Sequence, residues 1–166
     1  DLKKALSGDY IVIESMTEEP KAKIGMYEAM KDLLDEDTIL CTNSSTLLPS
    51  MFAEYTGRPE KYCALHFANT IWKNNTGEVM GHPGTDSEIY EKVVEFASAI
   101  GMVPLKLHKE QPGYILNSML VPFLSAAQAL WANGVADPET IDVTWRLATI
   151  APAGPVQILD IVGLST

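Results

Sequence analysis

Short apolar runs alternate with segments of helical periodicity along the first two thirds of the chain. The runs have the length and the aliphatic composition of buried strands, and they cover residues 10–14, 39–42, 62–66, 78–80 and 103–107. Between them, apolar residues recur at helical spacing over residues 19–34 and 86–101, and residues 47–55 predict a shorter helix. Strands that alternate with helices predict an α/β fold with a doubly wound sheet.

The pattern changes after residue 112. Residues 114–133 form one long apolar segment of helical type, and Asp137 begins a second helix that reaches about Leu147. No strand pattern recurs in this part of the sequence. We therefore expect two domains, residues 1–108 with the sheet and residues 109–166 with helices.

The composition indicates a folded protein with an acidic surface. Hydrophobic residues make up 46% of the 166 residues and charged residues 20%, which provides enough apolar material for a sizeable core. The 22 acidic side chains outnumber the 12 basic ones, so the net charge is −10. Such a surface repels the phosphates of nucleic acids and anionic lipids, so we expect neither a nucleic-acid nor a membrane partner.

The cysteines and the lack of long apolar runs bear on the cellular compartment. Cys41 and Cys63 lie in apolar segments, too far apart for a Cys-x-x-Cys motif, which favours buried free thiols in a reducing environment. The 166 residues contain no signal-peptide pattern and no apolar run of transmembrane length. We expect a cytoplasmic protein without a metal site.

One histidine and one glutamate have the placement of an acid–base pair. His66 ends the third apolar run, and Glu78 begins the fourth after a polar loop. Residues at the carboxyl end of a strand in an open parallel sheet face the ligand crevice. A neutral imidazole there, oriented by a carboxylate on its other ring nitrogen, can accept a proton near neutral pH. Considered alone, a loop histidine and a solvated glutamate are the more common explanation.

Compact polar groups occur at two further places. The segment Asn43-Ser44-Ser45-Thr46 follows the second strand, and Asn117 lies at the start of the long helix. Helix capping explains the serines and the threonine without any catalysis, and an amide at a domain joint explains Asn117. For each segment by itself, the structural explanation is the simpler one.

Short motifs along essentially the whole chain nevertheless form an ordered set. They are Asp9 to Glu14 with Glu18 and Lys23, Thr42 to Thr46, Leu65-His66-Phe67 with Asn69 and Glu78, Pro112 to Asn117, and Gly154-Pro155 with Leu159 to Leu164. In order and spacing, this set resembles the 3-hydroxyacyl-CoA dehydrogenase family, the NAD-dependent enzymes of fatty acid β-oxidation and butyrate pathways. The resemblance implies the C-terminal half of a Rossmann-type doubly wound sheet followed by part of an all-α domain.

The resemblance also implies a role for each candidate residue. His66 is expected to be the general base that takes the hydroxyl proton of an (S)-3-hydroxyacyl-CoA while hydride passes to NAD, and Glu78 is expected to orient it. Ser45 and Asn117 would hydrogen-bond the reacting oxygen and the acyl thioester region. The residues that match cofactor-binding positions of the family are Glu18, Lys23, Ser45 and Asn69.

The sequence departs from the family pattern in two places. Many members follow the histidine with Phe-Phe-Asn-Pro, whereas this chain has Phe67-Ala68-Asn69-Thr70. The Gly-x-Gly-x-x-Gly fingerprint of the first βαβ unit does not occur in the 166 residues. We therefore expect residues 1–108 to be a partial NAD-binding domain and residues 109–166 to be part of the helical dehydrogenase and dimerisation domain. Such a piece alone is expected to hold NAD poorly and to be weakly active or inactive.

Two other functions remain open. One is a dehydrogenase of a free hydroxy acid or sugar acid on the same scaffold, since such relatives differ in the loop after the histidine. The other is a non-catalytic structural or binding relative, although a fold by itself needs none of His66, Glu78, Ser45 and Asn117. The expected partners are an acyl-CoA substrate and a second copy of the chain, which would pair through the helical domain.

Overall fold

The computed structural model of the protein describes residues 1–8 and 10–163. The chain divides into two compact units, Asp1–Ile115 and Leu116–Thr166. Asp9 and Leu164, which begin and end two of the motifs noted above, lie outside the described residues, as do Ser165 and Thr166.

The first unit contains a five-stranded sheet whose spatial order follows the chain order. The strands are β1 (Ile11–Glu14), β2 (Ile39–Thr42), β3 (Tyr62–Phe67), β4 (Thr76–Met80) and β5 (Val103–Leu107). Strands β1, β2 and β3 are parallel, β4 is antiparallel to β3, and β5 is parallel to β4. All five predicted strands are confirmed. The sheet is mixed rather than wholly parallel, because β3 and β4 form a hairpin.

Helices cover both faces of this sheet. The first helices are the short α1 (Leu2–Ala5) and α2 (Pro20–Met30). Helix α2 packs on one face in a buried hydrophobic cluster that includes Tyr27 and Leu40. Helix α3 (Ser87–Ala99) packs on the other face in a second buried cluster that includes Val93 and Cys41. Coverage on both sides explains why β2 is buried along its whole length, as its unbroken apolar run predicts. The predicted α/β class is confirmed.

The prediction of a helix at residues 47–55 is wrong. The structure has two turns of 3₁₀ helix there, Pro49–Met51 and Ala53–Thr56, and a third follows at Pro59–Lys61. Segments this short cannot offset the cost of nucleating an α-helix. Gly57, in the left-handed conformation with φ of 69°, ends the second turn.

The second unit consists of helices. They are α4 (Leu116–Ala132), α5 (Pro138–Thr149) and α6 (Pro155–Val162). The buried carboxylate of Asp142 on α5 accepts hydrogen bonds from the backbone amides of Val156 and Gln157, at 2.7 and 3.0 Å. These amides belong to the first turn of α6, whose N–H groups have no partner within the helix. Asp142 therefore caps α6 and attaches it to α5.

Three further observations concern the residues that the structure describes. None of their helices combines the length and apolar character needed to cross a bilayer. They hold no group of three or more His, Cys, Asp or Glu side chains placed to bind a metal ion. Cys41 and Cys63 are both buried and free, as predicted, and their sulfur atoms lie 3.9 Å apart on neighbouring strands.

Candidate active site

The β3–β4 hairpin brings His66 and Glu78 together. The two residues are direct partners in the antiparallel register, so a spacing of twelve residues becomes a contact across the hairpin. The distance between His66 Nδ1 and Glu78 Oε2 is 2.9 Å. Both side chains are almost completely buried, at 5% and 3% exposure. A hydrogen bond in this water-poor setting holds the imidazole in one orientation.

The carboxylate of Glu78 is itself held in place. Its Oε1 accepts a hydrogen bond of 2.9 Å from the backbone amide of Ile115. The other carboxylate oxygen, Oε2, contacts His66 Nδ1. Because a carboxylate can only accept a hydrogen bond, Nδ1 is the donor. Nε2 is then the ring nitrogen that can accept a proton. This is the arrangement of a general base with its orienting carboxylate.

Tyr114 also contacts His66, although the Pro112 to Asn117 motif gave no role to this tyrosine. Its ring stacks on the imidazole with 4.7 Å between centroids and 27° between planes, and the side chain is buried. Tyr114 has φ of 54°, directly after Gly113 with φ of 76°. A tyrosine in the left-handed region is strained by about 1 to 3 kcal/mol and persists only where its surroundings require it. The pair Pro112-Gly113 signals a turn, but nothing local in the sequence indicates the contact with His66.

The segment after β2 links the ends of neighbouring strands. The side-chain oxygen of Asn43 accepts a hydrogen bond of 3.0 Å from the amide of Phe67, the last residue of β3. The hydroxyl of Ser44 donates to Glu18 at 2.7 Å and accepts from the amide of Leu47. The Ser44 hydroxyl therefore closes a local turn and links it to Glu18, but it caps no helix, because the 3₁₀ turn at Pro49–Met51 has no side-chain cap. Ser45, the residue assigned by resemblance, is half-buried beside them.

Glu14 and Lys23 form a buried ion pair at the carboxyl end of β1. Lys23 Nζ lies 2.9 Å from Glu14 Oε1 and 3.6 Å from Glu18 Oε1, and its side chain has no exposed surface. Burial acts to raise the pKa of Glu14, but hydrogen bonds from Tyr27 and Lys23 outweigh it and hold the pKa below its ordinary value. Burial raises the pKa of Tyr27, and the hydrogen bond to Glu14 raises it further. The family resemblance predicts a role for Lys23 here, but it assigns none to Glu14.

The two remaining predicted site residues belong to a loop and to the second unit. Asn69 is exposed in the loop after β3, where its carbonyl accepts hydrogen bonds from Thr70 Oγ1 and Asn74 Nδ2. Asn117 is half-buried in the first turn of α4, in the second unit. The roles of both residues stay predictions.

Comparison with known proteins supports the family resemblance. The model described as the NAD binding domain of 3-hydroxyacyl-CoA dehydrogenase matches residues 1–111, and the model of the C-terminal domain of the same enzyme matches residues 113–166. The human protein named "Hydroxyacyl-coenzyme A dehydrogenase, mitochondrial" is 35% identical over 94% of this chain and 49% of its own length. The 3-hydroxybutyryl-CoA dehydrogenase of Clostridioides difficile is 33% identical over 93% of this chain and 54% of its own length.

A solved structure adds a relative with another activity. A diketoreductase, described as acting on dicarbonyl compounds, is 56% identical, with a TM-score of 0.95 over 99% of this chain and 58% of its own. The chain thus spans about half the length of the curated relatives it matches. Because the two family models together match nearly every residue, the chain belongs to the 3-hydroxyacyl-CoA dehydrogenase family.

Proposed function

We propose that the protein is an NAD-dependent dehydrogenase that oxidises an (S)-3-hydroxyacyl-CoA to the 3-oxoacyl-CoA, with His66 as the general base. The observation that carries this proposal is the buried contact between His66 Nδ1 and Glu78 Oε2 at the carboxyl end of β3. Membership of the family supplies the reaction class.

The chemistry follows from the needs of an alcohol oxidation. Hydride leaves a carbinol carbon readily only when the hydroxyl proton is removed at the same time. The reaction therefore requires a general base next to the oxygen that accepts protons near neutral pH. His66 Nε2 takes the proton, and the Glu78 carboxylate stabilises the resulting imidazolium. NAD, when bound, accepts the hydride. Ser45 and Asn117 hydrogen-bond the reacting oxygen and the thioester carbonyl in this proposal.

The described residues fit one end of the cofactor better than the other. The Glu18 carboxylate is 41% exposed and presents acceptor oxygens at the carboxyl ends of β1 and β2, where a ribose hydroxyl or a carboxamide can bind. The sequence contains no glycine-rich fingerprint to hold the pyrophosphate. We therefore propose that residues 1–108 form part of an NAD-binding domain, and that these 166 residues alone are weakly active or inactive.

NADH formation from (S)-3-hydroxybutyryl-CoA and NAD tests the proposal. We expect turnover by the complete gene product, whatever its length, and little or none by the 166-residue chain. The variant His66→Gln should lose about 100- to 10,000-fold in kcat, which is the usual contribution of a general base. A His66→Gln enzyme with the full rate would disprove the assignment of the base.

A second candidate function is reduction of a dicarbonyl compound that carries no coenzyme A. The 56% identity to a diketoreductase favours it. A 3-oxoacyl thioester is itself a dicarbonyl compound, and its reduction resembles that of a free diketone. In either reduction the same His66 can serve as the proton donor to the carbonyl oxygen that accepts the hydride at its carbon. Rates with acetoacetyl-CoA and with free diketones in the presence of NADH separate the candidates, since a strong preference for the free diketone would replace the thioester proposal.

We also propose that the protein forms a homodimer through the helical unit. Helix α4 exposes large apolar side chains, among them Met119 at 63%, Val121 at 59% and Trp131 at 55%. Sedimentation of the complete gene product tests this, because Trp131→Glu should shift a dimer to monomers.

A cytoplasmic location agrees with the two free thiols, and cell fractionation tests it.

A further inference from the structure

The end of β3 that carries His66 extends beyond the neighbouring strand β2. The parallel register between the two strands ends with Thr42, which lies opposite Ala64. Strand β3 continues to Phe67, where β4 pairs with it on the other side. A backbone amide that faces the β2 side at this end therefore needs an acceptor from outside β2.

Asn43, the residue after β2, supplies this acceptor through its side chain. Its Oδ1 accepts a hydrogen bond of 3.0 Å from the backbone amide of Phe67, the last residue of β3. Its own backbone amide donates to the carbonyl of Glu14, the last residue of β1, at 2.8 Å. Asn43 therefore joins the ends of β1 and β3, with its backbone on one side and its side chain on the other. The contact with Phe67 is partly buried, which reduces competition from water.

This hydrogen bond joins two segments on which the proposed chemistry depends. Phe67 directly follows His66, and the Phe67 ring packs against the buried cluster on the α3 face of the sheet. Successive side chains of a strand point to opposite faces, so His66 lies on the other face. Ser45 follows Asn43 closely in the chain. The contact between Asn43 and Phe67 therefore helps to set the distance between Ser45 and His66.

We propose that Asn43 is a positioning residue for the general base, which acts through the backbone of Phe67 and holds His66 in place relative to Ser45. The inference rests on the proposed function, because that function makes His66 the base. It goes beyond the family resemblance, which assigned no role to Asn43. A base takes a proton only within hydrogen-bond reach, and a misplacement of about 1 Å can lower a rate about 100-fold.

Two substitutions at position 43 of the complete gene product test this role. Asn43→Leu has a side chain of similar length without an acceptor, so the Phe67 amide loses its partner. We expect kcat to fall about tenfold, with KM for substrate and for NAD within about threefold of the wild type. Asn43→Asp keeps an oxygen at the same position and should retain kcat within about threefold. If Asn43→Leu does not fold, Asn43→Ala replaces it with the same expected results.

Thr85→Val is the matched control, because Thr85 bonds the same strand at its opposite end. Its Oγ1 donates to the carbonyl of Tyr62, the first residue of β3, at 2.8 Å. The variant should lose stability and keep the wild-type kcat, since this bond lies at the other end of the strand from His66. Urea unfolding and steady-state kinetics measure the two quantities for each variant.

Two results would overturn the proposal. If Asn43→Leu loses stability as Thr85→Val does and keeps the wild-type kcat, Asn43 stabilises only the sheet. If Asn43→Asp loses kcat as strongly as Asn43→Leu, the NH₂ group of Asn43 carries its role, and the acceptor for Phe67 does not.

Crystal structures of the position-43 variants give a readout that needs no turnover. In Asn43→Leu we expect Phe67 and the His66 imidazole to shift by about 0.5 Å or more, the tolerance within which catalytic groups must be held. In Asn43→Asp they should stay in place. An unshifted imidazole in Asn43→Leu would contradict the positioning role. A wild-type protein that forms no NADH would contradict the proposed function alone, since the place of His66 in these crystals still decides whether Asn43 positions it.

Discussion

The ring of Tyr114 stacks on the imidazole of His66, with centroids 4.7 Å apart and planes inclined by 27°. The neighbouring amide of Ile115 donates to Glu78 Oε1. One short segment therefore contacts both His66 and Glu78, the histidine by its ring face and the glutamate by its second oxygen. The left-handed backbone of Gly113 and Tyr114 makes both contacts possible at once.

Replacing Tyr114 by leucine should lower kcat by about three- to tenfold, because an aromatic pair contributes about 0.5 to 1.5 kcal/mol to the orientation of its members. Tyr114→Phe keeps the ring and should retain nearly the full rate. Steady-state kinetics on the complete gene product measure both. Tyr90→Leu is the control: the Tyr90 hydroxyl donates to the carbonyls of Val79 and Leu107, so the variant should lose stability but not kcat. A leucine variant with wild-type kcat would show that the stacking has no catalytic role.

Glu78→Gln should lower kcat about 100-fold or more while KM for NAD changes little. An amide has no charge to stabilise the imidazolium, and its NH₂ group can favour the wrong tautomer of His66. The substitution keeps the volume of the side chain and its acceptor for Ile115, so the fold should persist. Circular dichroism checks the fold, and the rate of NADH formation checks the prediction. Retention of a tenth of the wild-type rate or more would contradict it.

The hairpin contact between His66 and Glu78 could be anticipated from sequence in part. A histidine at the end of one apolar run and a glutamate at the start of the next predict nearby residues if the runs pair. The register could not be derived, because it depends on the loop between the strands, in which Thr70 adopts φ of 56°. The family resemblance, rather than periodicity, assigned the pair its role.

Two other contacts could not be predicted from the sequence, for a different reason. Tyr114 reaches His66, and Lys23 reaches Glu14, only because separate elements dock in three dimensions. Periodicity predicts which face of α2 is buried. A lysine is ordinarily assigned to the solvent-exposed face, so the burial of Lys23 could be predicted only from its partner. Glu14 in an otherwise apolar strand was the available signal, since a buried carboxylate requires donors.

Glu14 should make the stability of the protein depend on pH. Its pKa in the folded state is lowered, so its contribution is fully present above the ordinary value of 4.5 and is lost as the pH falls through the folded pKa. Glu14→Gln should therefore destabilise the protein by about 3 to 5 kcal/mol at neutral pH, the usual cost of breaking a buried ion pair. The difference should shrink as the pH falls below 4.5.

Urea unfolding of the wild type and the variant at neutral and acidic pH measures this change. Glu91→Gln, which removes the exposed partner of Lys106, should show no such pH dependence beyond that of the wild type. A constant difference between wild type and Glu14→Gln across the acidic range would contradict the lowered pKa of Glu14.

Gly154 should tolerate no side chain. A Cβ atom built on this residue would overlap both the carboxylate and the backbone of Asp142, which caps α6. Gly154→Ala must therefore push α6 away from α5 and weaken the two hydrogen bonds from its first turn, so we expect a loss of about 1 to 3 kcal/mol in the free energy of unfolding. Gly25→Ala is the matched control, because its Cβ meets nothing within 4 Å and alanine favours the helix α2. Chemical denaturation should rank the proteins Gly25→Ala, wild type and Gly154→Ala in falling order of stability, and an unaffected Gly154→Ala would mean that α5 and α6 do not approach as closely as Asp142 requires.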